Sequence, residues 1–147
     1  MEPAEEYFQE YLNKHRIPFW FIQQDKKTFS KTVKQLNTKR PDFFILIPNI
    51  GFILVDIKDM EPLRKHKKFC IGFKETEKYN NLQKLFNMQV WYIISNKHTH
   101  YSTWYCMPAS KARTYKHFQV KEDYYSIPVE DFTQLSTHEP IYNLLVK

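Results

Sequence analysis

Glycine is nearly missing from this chain, with two residues among 147, and proline contributes eight. That leaves little room for long flexible linkers, and neither a low-complexity tract nor an internal repeat is present. Cysteine is almost as scarce. Cys70 and Cys106 stand far apart and outside any metal-ligand spacing, so they read as two reduced thiols rather than a zinc site or a disulfide framework. No apolar run approaches the ~18 residues that cross a membrane. The opening Met-Glu-Pro-Ala-Glu-Glu is acidic and does not read as a secretory signal. The expectation is a cytoplasmic protein with no membrane partner.

What the chain does have is apolar and aromatic mass. A hydrophobic content of 42% and an aromatic content of 17% argue for a folded core, despite a mean hydropathy of −0.62. The length suits one domain over residues 1–147. Lys and Arg outnumber Asp and Glu by 22 to 16, a net charge of +6, which is compatible with a polyanionic partner without demanding one.

Residues 4–15 have helical spacing. Pro3 stands just ahead, Glu5 and Glu6 suit the first turn, and Phe8, Tyr11 and Leu12 make an apolar stripe that Pro18 ends. Residues 19–24 read as a strand, and 26–40 as a polar, basic loop with a short helix. Residues 43–47 and 52–58 form a hairpin, 59–74 a mobile charged loop with a strand at 68–73, and 75–87 a helix with Tyr79, Leu82 and Phe86 inward. Residues 90–94 read as a strand buried on both faces, 101–107 as another, and 109–115 as one or two helical turns. Pieces after Tyr124, such as 141–146, are expected to pack as edges. The order is that of a mixed sheet with helices on its faces, an α/β architecture.

The hairpin carries the chemistry. Apolar strands Phe43–Ile47 and Phe52–Val55 are flanked by Pro41-Asp42 at one end and Asp56-Ile57-Lys58 at the other. Alternation puts Asp56 and Lys58 on one face and Ile57 on the opposite one. A three-residue loop of Asn49, Ile50 and left-handed Gly51 would set Pro48 against Phe52 and Asp42 against Lys58, joining Asp42 to that face. A loop one residue shorter or longer would send Asp42 to the other side. Two carboxylates beside an ammonium suit a hard divalent cation and an activated water, the chemistry of phosphodiester hydrolysis.

A helix bearing a glutamate, Arg40-Pro41-Asp42-Phe43 opening a strand, Val55-Asp56-Ile57-Lys58 on its hairpin partner, then a helix and a strand: over residues 4–107 this resembles the PD-(D/E)XK nuclease superfamily. That group includes restriction endonucleases and Holliday-junction resolvases. The resemblance implies a restriction-endonuclease-like mixed β-sheet core flanked by helices, and Mg²⁺ as cofactor with Mn²⁺ as a substitute. It further implies Asp42 and Asp56 as metal carboxylates and the Ile57 carbonyl as another ligand. Lys58 would orient or help deprotonate the attacking water and stabilise charge on the phosphate. Glu5, which shares the stripe of Phe8 and Leu12, would complete the catalytic and metal site. Glu6, rotated away, is the rival, and an acid serving the helix dipole is the alternative for either.

On the second helix, Tyr79 and Gln83 face together. Helicase-associated members of the superfamily carry Gln first and Tyr four later, so the reversed order here is not carried over. Arg64, Lys65, Lys67 and Lys68 follow the catalytic strand and are candidates for nucleic-acid contact, as are Lys39, Arg40 and Lys78; a solvated loop is the competing reading. His98 and His100 have no neighbouring carboxylate in the sequence, and no zinc site is inferred.

The expected function is therefore a metal-dependent endonuclease or exonuclease acting on nucleic acid, DNA rather than RNA by the resemblance. A catalytically silent nuclease fold serving as a nucleic-acid-binding or assembly module is the alternative, and a protein-docking aromatic surface is a third class. Dimerisation through an exposed apolar strand stays open. Strandedness, preference for an end, junction or site, and the process served have no signature in the sequence.

Overall fold

In the computed structural model, which describes residues 1–119 and 123–145, a main sheet has helix on one face and helix with a second, smaller sheet on the other. Helix α1 (Pro3–Lys14) is followed by strand β1 (Phe19–Phe21), the short helix α2 (Lys31–Gln35) and the hairpin of β2 (Phe43–Ile47) and β3 (Gly51–Asp59). Strand β4 (Lys68–Gly72) and helix α3 (Phe73–Phe86) cross over to β5 (Val90–Ser95), and β6 (Thr103–Pro108) returns beside it. The rest is α4 (Ala109–Ala112), β7 (His117–Gln119), β8 (Asp123–Pro128) and β9 (Thr133–Ser136).

The main sheet has the order β1-β2-β3-β5-β6-β9, in which β3 and β5 are parallel and the other neighbours antiparallel. Alternation along β3 and β5 splits the core in two. Ile53, Val55, Ile57, Trp91 and Ile93 face Ala4, Phe8, Tyr11 and Leu12 of α1. Leu54, Val90, Tyr92 and Ile94 face Tyr79 and Leu82 of α3, along with the second sheet. Both layers are needed because β5 is buried along its whole length, as a central strand covered on two sides must be.

The second sheet, β4-β8-β7, was not anticipated. Residues after Tyr124 do not all become edges of one sheet: β8 pairs with β4, while β9 does edge the main sheet against β6. Residues 141–145 form a 3-10 turn, with Ile141 and Leu144 buried under α1's side of the sheet; Val146, the last of that expected piece, lies outside the described residues. Phe86, expected inward, is 43% exposed at the end of α3. Cys70 lies half-buried on the second sheet and Cys106 buried on the main one. Among the described residues no helix is long and apolar enough to cross a membrane.

The hairpin loop lies one residue earlier than expected. Ile47 pairs with Gly51, so the loop is Pro48, Asn49 and Ile50, closed by the Ile50 N–H on the Ile47 carbonyl at 3.1 Å. Pro48 followed by Asn49, at φ 66°, is the residue pair a type II turn calls for, since asparagine tolerates the left-handed region. Gly51, with φ 134°, opens the strand instead of turning it. Asp42 therefore lies level with Asp56 and not opposite Lys58. The slip amounts to two positions in the pairing, so every side chain keeps its face.

Candidate active site

Four pieces of chain converge where β2 begins and β3 ends. Asp42 precedes β2, and its backbone N–H donates to the Val55 carbonyl at 2.9 Å. Its Oδ2 accepts the Ile57 N–H at 2.8 Å, so the carboxylate is held against β3. Asp56, 4% exposed, projects from β3 toward α3, where the Tyr79 hydroxyl donates a very short hydrogen bond to its Oδ2. Lys58, two residues on, brings Nζ to 3.6 Å from Asp56 Oδ1 and 2.7 Å from Glu75 Oε1. Lys39, just ahead of β2, mirrors it with Nζ at 3.5 Å from Asp56 Oδ2 and 3.0 Å from Glu75 Oε2.

Lys39, Asp42, Asp56 and Lys58 line an open concavity of about 290 Å³ together with Glu5 and Ile57, and Glu75 and Tyr79 support them from α3. The electrostatics follow from the shortage of water. Burial and the neighbouring Asp56 charge push the Asp42 carboxyl up to about 7, against the pull of the Ile57 N–H. Burial, with Glu2 nearby, raises Glu5 as well. Burial works the same way on Glu75, yet the ammonium groups of Lys58 and Lys39 hold it below the usual carboxylate range. Lys39 is kept above its ordinary value, burial notwithstanding, by Asp56 and Glu75. Tyr79, buried beside Asp56, is pushed well upward and stays a proton donor.

Glu75 and Tyr79 were missed as a pair. They are four residues apart on α3 and so share a face. Pairing Tyr79 with Gln83 looked along the helix in the wrong direction: the Gln83 amide oxygen instead accepts the Val90 N–H at 3.4 Å. Asp59 was missed too. Its Oδ2 accepts the Ala4 N–H at 3.2 Å and the Tyr101 hydroxyl at 2.9 Å, tying the start of α1, and hence Glu5, to the end of β3.

The basic residues scatter. Lys39 enters the site. Arg40 does not: its guanidinium donates to Thr28 Oγ1 at 2.8 Å and the Asp25 carbonyl at 2.7 Å, over the Phe29 ring. Arg64, Lys65 and Lys67 are exposed in the turn that joins β3 to β4, and Lys68 is half-buried at the start of β4. Lys78 borders a separate depression of about 420 Å³ with Lys74 and Asn81. His98 pairs with Glu61 at 2.9 Å on the surface.

Asp42 and Asp56 fit a hard divalent cation. They are two carboxylates lining one concavity beside Ile57, with the Asp42 carboxyl raised first by burial and then by the Asp56 charge. Among the described residues no three His, Cys, Asp or Glu side chains form a closed ligand cluster, so Glu5 lines the concavity without completing one. Two carboxylates suffice for Mg²⁺, which keeps several waters and takes substrate oxygens.

Among solved structures, Hjc, a Holliday junction resolvase from the archaeal hyperthermophile Archaeoglobus fulgidus, matches with a TM-score of 0.55 over 85% of this chain and 85% of that one, at 11% identity. The likeness is one of fold, a mixed sheet with helices on its faces. No protein-family model matches the chain, and no curated protein does. Asp42 and Asp56-Ile57-Lys58 lie on the hairpin near the centre of the sheet, α1 covers one face, and α3 covers the other.

Proposed function

We propose that this chain is a metal-dependent nuclease that hydrolyses phosphodiester bonds of DNA. The reading rests on one observation above all: Asp42, Asp56 and Lys58 line a single concavity in a fold similar to that of a Holliday junction resolvase. Mg²⁺, or Mn²⁺ in its place, would be held by Asp42, Asp56 and the Ile57 carbonyl, where it would polarise the phosphate and acidify water. Tyr79 fixes the Asp56 carboxylate from behind, and the Ile57 N–H fixes that of Asp42. Lys58, steadied by Glu75, orients the attacking water and stabilises charge that builds on the phosphate. Glu5, which lines the same concavity, would reach the metal directly or through water. DNA as substrate class follows the junction resolvase whose fold this is, and a cytoplasmic location belongs to the same reading.

The test is a cleavage assay on linear, circular, branched and single-stranded DNA, with Mg²⁺ or with chelator. Asp56→Asn and Lys58→Ala each lower the metal-dependent rate by roughly a hundredfold or more while circular dichroism stays that of the parent. If both variants cut as fast as the parent, the hydrolase reading is wrong. Binding of DNA that ignores both Mg²⁺ and the loss of Asp42 would instead identify a silent binding module.

A further inference from the structure

Lys39 is the feature the hydrolytic scheme leaves unused. It is not part of the Asp-x-Lys segment, yet its ammonium lies as near to Asp56 as that of Lys58 does, at 3.5 Å against 3.6 Å. The two lysines differ in their freedom. The Lys58 side chain is 17% exposed and that of Lys39 is 39% exposed. Both ammonium groups are nearer to Glu75 than to Asp56, Lys58 at 2.7 Å and Lys39 at 3.0 Å, and the Lys39 ammonium also stands 5.3 Å from the Tyr79 ring centre. Leaving Asp56 forfeits the longer contact and keeps the shorter one. A lysine has a flexible four-carbon stem suited to such a pivot.

An ammonium and a divalent cation repel one another at the same carboxylate oxygen. Asp56 Oδ1 is shared with Lys58, and Oδ2 is taken by Tyr79 and Lys39. Of these partners, Tyr79 is neutral and Lys58 sits on the opposite oxygen. For a cation that takes Oδ2, Lys39, the more exposed of the two ammonium groups, is the positive group that must give way.

On the nuclease reading above, we propose that Lys39 is an exchangeable counter-ion of Asp56: it occupies the carboxylate before the divalent cation binds, yields it on loading, and remains on Glu75. Lys39 thereby sets how tightly the site takes its metal. Glu75 is the resting partner that keeps the displaced ammonium inside the concavity, within reach of an incoming phosphate.

Metal affinity tests this without any turnover. Mn²⁺ binding to the chelator-stripped, full-length chain is measured by titration calorimetry for the parent, Lys39→Met, Lys39→Gln, Lys39→Arg and Asp42→Asn. Both neutral variants tighten Mn²⁺ on the order of tenfold, Lys39→Arg stays near the parent, and Asp42→Asn weakens it. Lys74→Met, which removes an exposed lysine from α3 with no contact to Asp56, changes affinity less than twofold and separates displacement from general charge. Lys39→Gln is the second neutral variant should Lys39→Met fail to fold. A folded neutral variant that binds no tighter than the parent overturns the proposal while leaving the metal site standing. Mn²⁺ binding indifferent to Asp42→Asn removes the site and the proposal together.

Discussion

Asp42 makes the stability of the molecule depend on pH in an unusual direction. An aspartate in the unfolded chain releases its proton near 3.8, whereas in the folded state burial and Asp56 keep the proton on until about 7. Between those values the folded state binds more protons, so raising the pH disfavours folding. Glu75 acts in the opposite sense and at lower pH: its contribution is present above the ordinary glutamate value and is lost as pH falls through its depressed one. With chelator present, the urea midpoint should therefore decline from about pH 5 to about pH 7 and then level off. Asp42→Asn should flatten that decline. A parent curve already flat in this window would mean that Asp42 ionises freely and that its carboxylate lacks the surroundings described.

At the scale of elements, α1 is the piece whose loss would cost most beyond its own length. Phe8 is 0% exposed, with rings of Phe43 and Trp104 edge-on to it at 5.3 Å. Phe8→Ala should lower stability by about 3–5 kcal/mol, the usual range for emptying such a position, as read by chemical denaturation. A cost below about 1 kcal/mol would show that the helix is not docked. Helix α1, the hairpin, α3 and β5 were legible because each has its own periodicity and punctuation. The small sheet was not, since β4 finds β8 some 55 residues downstream, across Phe69 and Ile127 among others, and no local pattern announces a pairing of short strands. The hairpin's parity could be read from the sequence, but the seat of its loop could not. Asn49 and Gly51 both tolerate positive φ, and the choice between them depends on how the strands settle. The site divides the same way. Asp42, Asp56 and Lys58 belong to one ribbon, and Lys39 leads into it, whereas Glu75 and Tyr79 meet them only because the crossover lays α3 over that ribbon.

The whole molecule carries its charge in two populations. Lys39 and Lys58 are committed inside the concavity to Asp56 and Glu75, and Arg40 is committed to the turn at residues 25–28. These groups contribute little to a field felt by a distant polyanion. Arg64, Lys65 and Lys67 are different: they are exposed together in the turn between β3 and β4, which begins one strand-end away from Lys58. If that turn grips the DNA backbone beside the cleaved bond, its removal lowers the number of counterions released on binding. Each phosphate contact contributes about 0.9 to the slope of log affinity against log salt concentration. Changing Arg64, Lys65 and Lys67 to Ala, in an Asp56→Asn background that binds without cutting, should reduce that slope by about 2 to 3. Fluorescence anisotropy on labelled duplex and branched DNA between 50 and 200 mM salt reads it directly, and an unchanged thermal midpoint is expected because exposed turn lysines hold nothing in place. A slope equal to that of the intact turn would remove these three residues from the DNA path and leave Lys74 and Lys78, beside the depression on α3, as the basic residues to test next.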